Sequence, residues 1–233
     1  MKISVIIPAL NEESSIAKVI HDLPKNYSLD ILVVDNGSTD QTAQKALEAG
    51  ARVITEPRKG YGRACYTGIL HTDPDSEILV FLDGDYSDYP EELPLLVEPL
   101  LQNKADFVLG SRILGNAEKG SLTLSQKWGN WLATTLIRIL FGFSYTDMGP
   151  FRSIWKKDLF KLDLKDMDYG WNVEMQVKAL FAGLRIQEVP VSYRKRMGIS
   201  KISGTWKGVI LAGWKIIGRI VYHYIYSLRK KRK

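Results

Sequence analysis

Three carboxylates, Asp83, Asp85 and Asp88, crowd the stretch FLDGDYSD (81–88), directly after the apolar run EILV (77–80). Like charges gathered where a strand leaves the core repel one another and lose hydration unless a cation or a water-filled cleft compensates. Carboxylate oxygens are hard ligands suited to Mg2+ or Mn2+, whereas Asp, Gly and Ser also build ordinary solvated turns. On this stretch alone both readings stand. Asp35, ending ILVVD (31–35), can accept hydrogen bonds from a base or ribose. Lys59 and Arg63 flank the Gly60 turn and can approach a diphosphate. Arg112, Arg152, Arg194, Arg196 and Lys201 add positive charge for anionic groups, although each taken singly also reads as a solvated surface cation.

Other chemistries lack their residues. GYG (60–62) is no dinucleotide fingerprint, because it follows the third strand and Cys65 stands where a third glycine belongs. No Walker-type phosphate loop occurs, and His21, His71 and His223 are scattered rather than clustered for zinc. No signature for serine or cysteine nucleophiles is present. The glycine-rich, arginine-containing loop of a nucleotidyltransferase is missing after the first strand, where PALNEE stands instead.

The elements that must hold these residues alternate through the first half. Strand-like runs are 3–7, 31–35, 51–55, 77–83 and 106–110; helical patterns cover 12–23, 40–50, about 62–70 and 90–101. Asn11 and Asp40 read as N-caps and Gly50 as a helix end. Strands apolar on both faces and separated by helices predict a mostly parallel sheet covered on both sides. Ligands then bind beyond the carboxyl ends of the strands, where the polar segments NEE, DNGSTD, EPRKGYGRA, DGDYSD and GSR fall. In the second half, 125–143 reads as a helix with a wide apolar face, 147–155 as a turn into a strand, 171–183 as a helix and 185–196 as a strand.

The chain has 233 residues and a net charge of +6, of which the terminal RKKRK supplies five. A near-neutral body with a basic tail suits an anionic surface, lipid or nucleic acid, or a solvated end. A single cysteine excludes an internal disulfide and suits a reducing compartment. The segment 205–228 is interrupted by Lys207, Lys215, Arg219 and His223, so it falls short of a membrane span. Lys215, Arg219 and His223 recur every four residues as one polar stripe, with interface-favouring Trp and Tyr around them. The expected placement is a helix lying in the membrane interface, with docking on the protein's own core as the rival, the two being compatible.

VIIPALNEE (5–13), VVDNGSTDQT (33–42), KGYGRACYTG (59–68), FLDGDYSDYPEEL (81–93) and GSR (110–112) resemble, in order, the signature of the family 2 glycosyltransferases of the GT-A fold. EVPVSYRKRMGISKISG (188–204) is similar to the late basic segment of the dolichyl- or polyprenyl-phosphate sugar synthases, the group of dolichyl-phosphate mannose synthase. The resemblance runs from about residue 3 to 204. It implies an α/β, Rossmann-like, mostly parallel sheet flanked by helices, with a C-terminal amphipathic helix. Residues 1–204 would form the transferase domain, 1–112 as the nucleotide-sugar half and 113–204 as the acceptor half. Residues 205–233 would form the helix and basic tail.

Carried over by position, Pro8, Asn11 and Glu12 resemble the loop that holds the base, and Asp35 the base- or ribose-binding aspartate. Asp83 and Asp85 resemble the D-x-D metal site for Mg2+ or Mn2+, with Ser87 where some members place a third ligand. Asn36 stands where a second aspartate is common. Arg112, Arg152, Arg194 and Lys201 are similar to cations that grip donor diphosphate and acceptor phosphate. The implied reaction is an inverting transfer of a hexose from a nucleoside-diphosphate sugar to a polyprenyl or dolichyl phosphate. It would take place at the cytoplasmic face of an anionic membrane, with no nucleic-acid partner. The alternative acceptor is a soluble or cell-envelope hydroxyl, which needs a general base; Asp147 and Glu174 are the candidates, with a turn cap and a partner for Lys178 as their plain readings.

Overall fold

A computed structural model describes residues 1–198 and 217–225. Its seven strands are β1 (Lys2–Ala9), β2 (Ser28–Asp35), β3 (Arg52–Thr55), β4 (Ser76–Phe81), β5 (Phe107–Ser111), β6 (Arg152–Trp155) and β7 (Ile186–Pro190). They form one sheet in the order β3-β2-β1-β4-β6-β5-β7. All neighbours are parallel except β6, which runs antiparallel to both β4 and β5. The sheet is the expected mostly parallel one, and β1 shows why: Val5, Ile6 and Ile7 are all fully buried, so successive side chains face core on both sides.

On one face, Val5, Ile7 and Val80 pack with Ile16 and Val19 of α1 (Ile16–His21), Ala46 of α2 (Thr42–Glu48) and Leu93, Leu96 and Val97 of α4 (Leu93–Leu101). On the other, Ile6, Leu32 and Phe81 meet Ala64 and Cys65 of α3 (Tyr61–Leu70), Ile137 of α5 (Leu124–Phe141) and Trp171 and Val177 of α7 (Trp171–Phe181). Trp171 meets Phe81 edge to face at 6.3 Å; removing so large a buried ring costs about 3–5 kcal/mol.

Several boundaries differ from the periodicity. The pattern over 90–101 divides into a 3-10 turn, Pro90–Glu92, followed by α4. A helix that the sequence reading lacked, α6 (Lys156–Leu162), follows β6. Helix α1 starts after Ser15, so Asn11 is not its cap; α2 starts after Gln41, one residue beyond Asp40, whose carboxylate accepts from the Thr42 N–H at 3.0 Å and so closes that helix start. Asn11 instead takes a left-handed φ of 52° and accepts from the Thr39 N–H, tying the loop after β1 to the loop after β2. Helix α5 begins with a capping box between Thr123 and Gln126 and ends at Gly142. Its apolar face is only partly covered: Leu124, Trp128, Trp131 and Ile139 stand exposed.

The stretch 217–225, here α8, is helical. Its described part docks on the protein's own core, the second of the two expected placements. Ile220 is fully buried in the α5/α7 core, and Tyr224 meets Phe141 edge to face at 5.9 Å. Two members of the polar stripe, Arg219 and His223, point inward: Arg219 pairs with Asp166 at 2.5 Å, and His223 lies 3.7 Å from Glu174. Val221, Tyr222 and Ile225 face outward. The rest of the segment, with RKKRK, lies outside the described residues. Among the described residues no helix is long and apolar enough to cross a membrane.

Candidate active site

Parallel strands deliver their following loops to one edge of the sheet, and there a cavity of about 510 Å³ opens. Pro8 reaches it from the end of β1 and Glu12 from the loop that follows, Asn36 from the loop after β2, Lys59 and Gly60 from that after β3, and Asp83 and Asp85 from that after β4. The opposite wall comes from Asp168 and Tyr169, ahead of α7, and from Arg196, beyond β7.

Asn36 explains its own departure from aspartate. Its Nδ2 donates to the carbonyl oxygens of Glu56 and Arg58, each at 2.9 Å, and its Oδ1 accepts from Gly60 N–H at 2.9 Å. A carboxylate could not donate, so the amide fixes the path of the 56–60 loop. The GYG turn is demanded by a close approach. A methyl at Gly60 or Gly62 would collide with the carbonyl oxygens of Met167 and Asp166, and Gly60 has a φ of 143°. Arg63 N–H donates to Met167 O at 2.9 Å, locking the 165–169 loop onto the start of α3.

The acid pair is held from both sides. Tyr61 donates its hydroxyl to Asp83 Oδ1 at 3.0 Å. Asp85 Oδ1 accepts from the Ser87 N–H at 2.9 Å and the Ser87 hydroxyl at 2.5 Å, while its Oδ2 faces Arg196 at 3.3 Å. Arg196 also reaches Glu12 at 3.1 Å. Burial pushes the Asp83 carboxyl up to about 7, and the nearby Asp85 charge adds to it. Asp88 lies behind them, 1% exposed, with neither carboxylate oxygen hydrogen-bonded among the described residues. Burial, then Asp83 and Asp85, drives its carboxyl well above the usual range. Such a cluster is short of positive charge, and its oxygens suit Mg2+ or Mn2+. Among the described residues no three His, Cys, Asp or Glu side chains converge into a cage. Two carboxylates completed by substrate phosphates is a usual way to hold Mg2+, and the residues fit it.

Several expected residues lie elsewhere. Ser87 is fully buried and its hydroxyl is engaged by Asp85, so it positions that carboxylate rather than facing a metal. Asp35 is buried, accepts from Ser38 N–H at 3.1 Å and closes the turn after β2, leaving Asn36 to form the cavity wall. Arg152 is fully buried in β6; it donates to the carbonyl oxygens of Asn172 and Gly149 and cannot grip an acceptor. Arg194 stacks on Tyr86 and Tyr89 and donates to the carbonyl oxygens of Tyr86 and Asp88, strapping the acidic loop to the segment after β7.

Both expected bases are engaged as well. Asp147 is 1% exposed and gripped through both oxygens by Arg112 at 2.7 Å, which occupies that cation too. Glu174 is 1% exposed; it pairs with Lys178 at 2.9 Å and accepts from the backbone N–H groups of Lys165 and Asp166. Arg63 lies outside the cavity wall with a buried Nε that has no hydrogen-bond partner among the described residues, and Lys201 lies outside those residues.

Tyr61, Asp168 and Tyr169 line the cavity without any motif that singles them out. The only trace of the last two is the acidic turn KDMDYG (165–170) before an apolar helix. In the sequence Arg196 is one of several scattered cations, and only the fold brings it beside Asp85 and Glu12.

The description Glycosyl transferase family 2 matches residues 4–162. An uncharacterized glycosyltransferase of Mycobacterium tuberculosis is 37% identical, over 92% of this chain and 97% of that one. The undecaprenyl-phosphate mannosyltransferase of Micrococcus luteus is 31% identical, over 88% of each. Among solved structures, glucosyl-3-phosphoglycerate synthase of Mycobacterium tuberculosis, in complex with Mn2+, uridine diphosphate and phosphoglyceric acid, shares the fold. Its TM-score is 0.78 at 23% identity, covering 96% of this chain and 78% of that one.

Proposed function

The chain belongs to glycosyl transferase family 2, and from that premise we propose that it moves a hexose from a nucleoside-diphosphate sugar onto a polyprenyl phosphate. The nucleotide lies in the cavity beyond the strand ends, with its base toward Pro8 and Glu12 and its diphosphate toward Lys59 and the acid pair. Asp83 and Asp85 hold Mg2+ or Mn2+, which supplies positive charge to the leaving diphosphate. Tyr61 and Ser87 fix the two carboxylates that do the holding, and Arg196 stands ready beside them. The acceptor oxygen bonds to the anomeric carbon as the bond to the diphosphate breaks, so the configuration inverts. Positioning and charge neutralisation carry the catalysis.

The acceptor class rests on one observation: the two expected bases are both engaged, Asp147 by Arg112 and Glu174 by Lys178. A phosphate oxygen arrives already ionised and needs no base. The similarity to an undecaprenyl-phosphate mannosyltransferase supports the same choice. The outward apolar residues Trp128 and Trp131 of α5, with the basic tail, suit a peripheral position on an anionic membrane. Incubating the enzyme with undecaprenyl phosphate and a panel of nucleotide sugars tests the reading; no glycolipid from any donor removes it.

A hydroxyl acceptor is the second reading, favoured by Asp168, a further carboxylate in the cavity wall. It predicts that Asp168→Asn abolishes transfer while nucleotide binding survives.

A further inference from the structure

The cavity wall formed by Asp168 and Tyr169 does not stand by itself. Asp166, two residues earlier, is 3% exposed, and its carboxylate works in two directions. Oδ1 accepts from Asp168 N–H at 2.8 Å, while Oδ2 takes the Arg219 guanidinium of α8 at 2.5 Å. From below, Glu174 accepts from Asp166 N–H at 2.6 Å and Lys165 N–H at 2.9 Å, and His223 of α8 lies 3.7 Å from that same Glu174. Gly170 completes the joint: a methyl there would collide with the Asp166 carboxylate and lie 3.0 Å from Arg219 Cγ.

On its other side the loop rests on the nucleotide half. Arg63 N–H donates to Met167 O, and only glycine at 60 and 62 leaves room for the Met167 and Asp166 carbonyls. A second cavity, of about 390 Å³, lies between the loop and α8 and is lined by Asp166, Met167, Asp168, Gly218, Arg219 and Tyr222. Asp168 belongs to both cavities, so residues 166–168 are a partition with α8 behind it. A thin wall with space on either side holds its place only through its ties. The strongest of these on the α8 side is the half-buried Arg219–Asp166 pair.

We infer that α8 is a positioning element of the nucleotide cavity, acting through Arg219 on Asp166 and so on the Asp168–Tyr169 wall. Arg219 touches no reacting group; its effect reaches the ligand through the loop. The inference rests on the nucleotide reading above and adds a residue outside every motif that supports it. The path has three links, Arg219 to Asp166, Asp166 to the Asp168 N–H, and Asp168 to the cavity.

Calorimetry with Mn2+ and uridine or guanosine diphosphate tests it on the full chain. Arg219→Gln and Asp166→Asn should each weaken the better-bound nucleotide by about 5- to 20-fold. The double variant should lose no more than either single one, because both break the same tie. Arg219→Lys, which keeps the charge, should recover most of the affinity. For the wild type, hydrogen exchange at residues 217–225 should slow when nucleotide and Mn2+ are added, a readout that needs no variant to fold. Wild-type binding with affinities unchanged within about twofold in the variants, or no protection of 217–225, overturns the inference alone. A wild type that binds neither nucleotide overturns the functional reading and the inference together.

Discussion

Tyr61 Oη and Asp83 Oδ1 meet at 3.0 Å inside the cavity, the tyrosine donating to a carboxylate that burial pushes up to about 7. The bond favours the charged form and so works against burial, as do Arg196 and Arg112. In the metal-free protein Asp83 takes up a proton as pH falls through 7. Mn2+ needs the bare carboxylate, so its affinity should rise as pH is raised from 6 to 8. Tyr61→Phe should move that profile toward alkaline pH by about one unit. Mn2+ titrations at several pH values check both; a flat profile in the wild type contradicts the assignment.

Asp83 also bears on stability. Its folded value near 7 lies above the ordinary 3.8, so folding favours the neutral form. The contribution is therefore fully present below pH 4 and is lost as pH rises through 7. Asp83→Asn keeps the neutral shape at all pH values. It should raise Tm at pH 8 and leave it nearly unchanged at pH 4, each kcal/mol being worth about 2–4 °C in a chain of this size. Thermal melts of both proteins at the two pH values measure it.

The Arg112–Asp147 pair joins the loop after β5 to the turn before β6. Glu188 of β7 in turn accepts from the Thr146 and Asp147 N–H groups and holds that turn. Removing one partner leaves a guanidinium only 12% exposed without its counter-charge. Asp147→Asn should destabilise the protein by about 3 kcal/mol, read as a lower urea midpoint. Normal melting of the variant, with turnover lost, would contradict this structural role.

On α5, Trp128 and Trp131 lie one turn apart and both face outward. If this face meets lipid, the Trp128→Ser/Trp131→Ser double variant should bind anionic vesicles at least about tenfold less tightly. Co-sedimentation measures it, and nucleotide affinity should stay as it was.

Strand β1 and the acid pair were legible because their causes are local. An unbroken apolar run means burial on both faces, and aspartates at its carboxyl end face the ligand edge. Arg152 is the opposite case: its charge suggests contact with substrate, but only tertiary packing surrounds it with carbonyl oxygens. The Glu174–Lys178 pair is readable from its i,i+4 spacing, whereas the burial of Glu174 under the 165–166 backbone is not. Asp168 and Tyr169 were unreadable because nothing in KDMDYG says that it folds back onto Gly60 and Gly62. The stripe Arg219–His223 was seen with the right period, yet period alone does not say whether a polar face meets water or buried carboxylates. That choice depends on Asp166 and Glu174, some fifty residues earlier.

Titration calorimetry with uridine, guanosine and thymidine diphosphates, each with and without Mn2+, reaches the central claim most directly. The account predicts that one nucleotide binds the wild type well only when Mn2+ is present, and that Asp83→Ala/Asp85→Ala abolishes this binding in a protein that still folds. Equal affinity in the wild type and the double variant, with or without the metal, would contradict it.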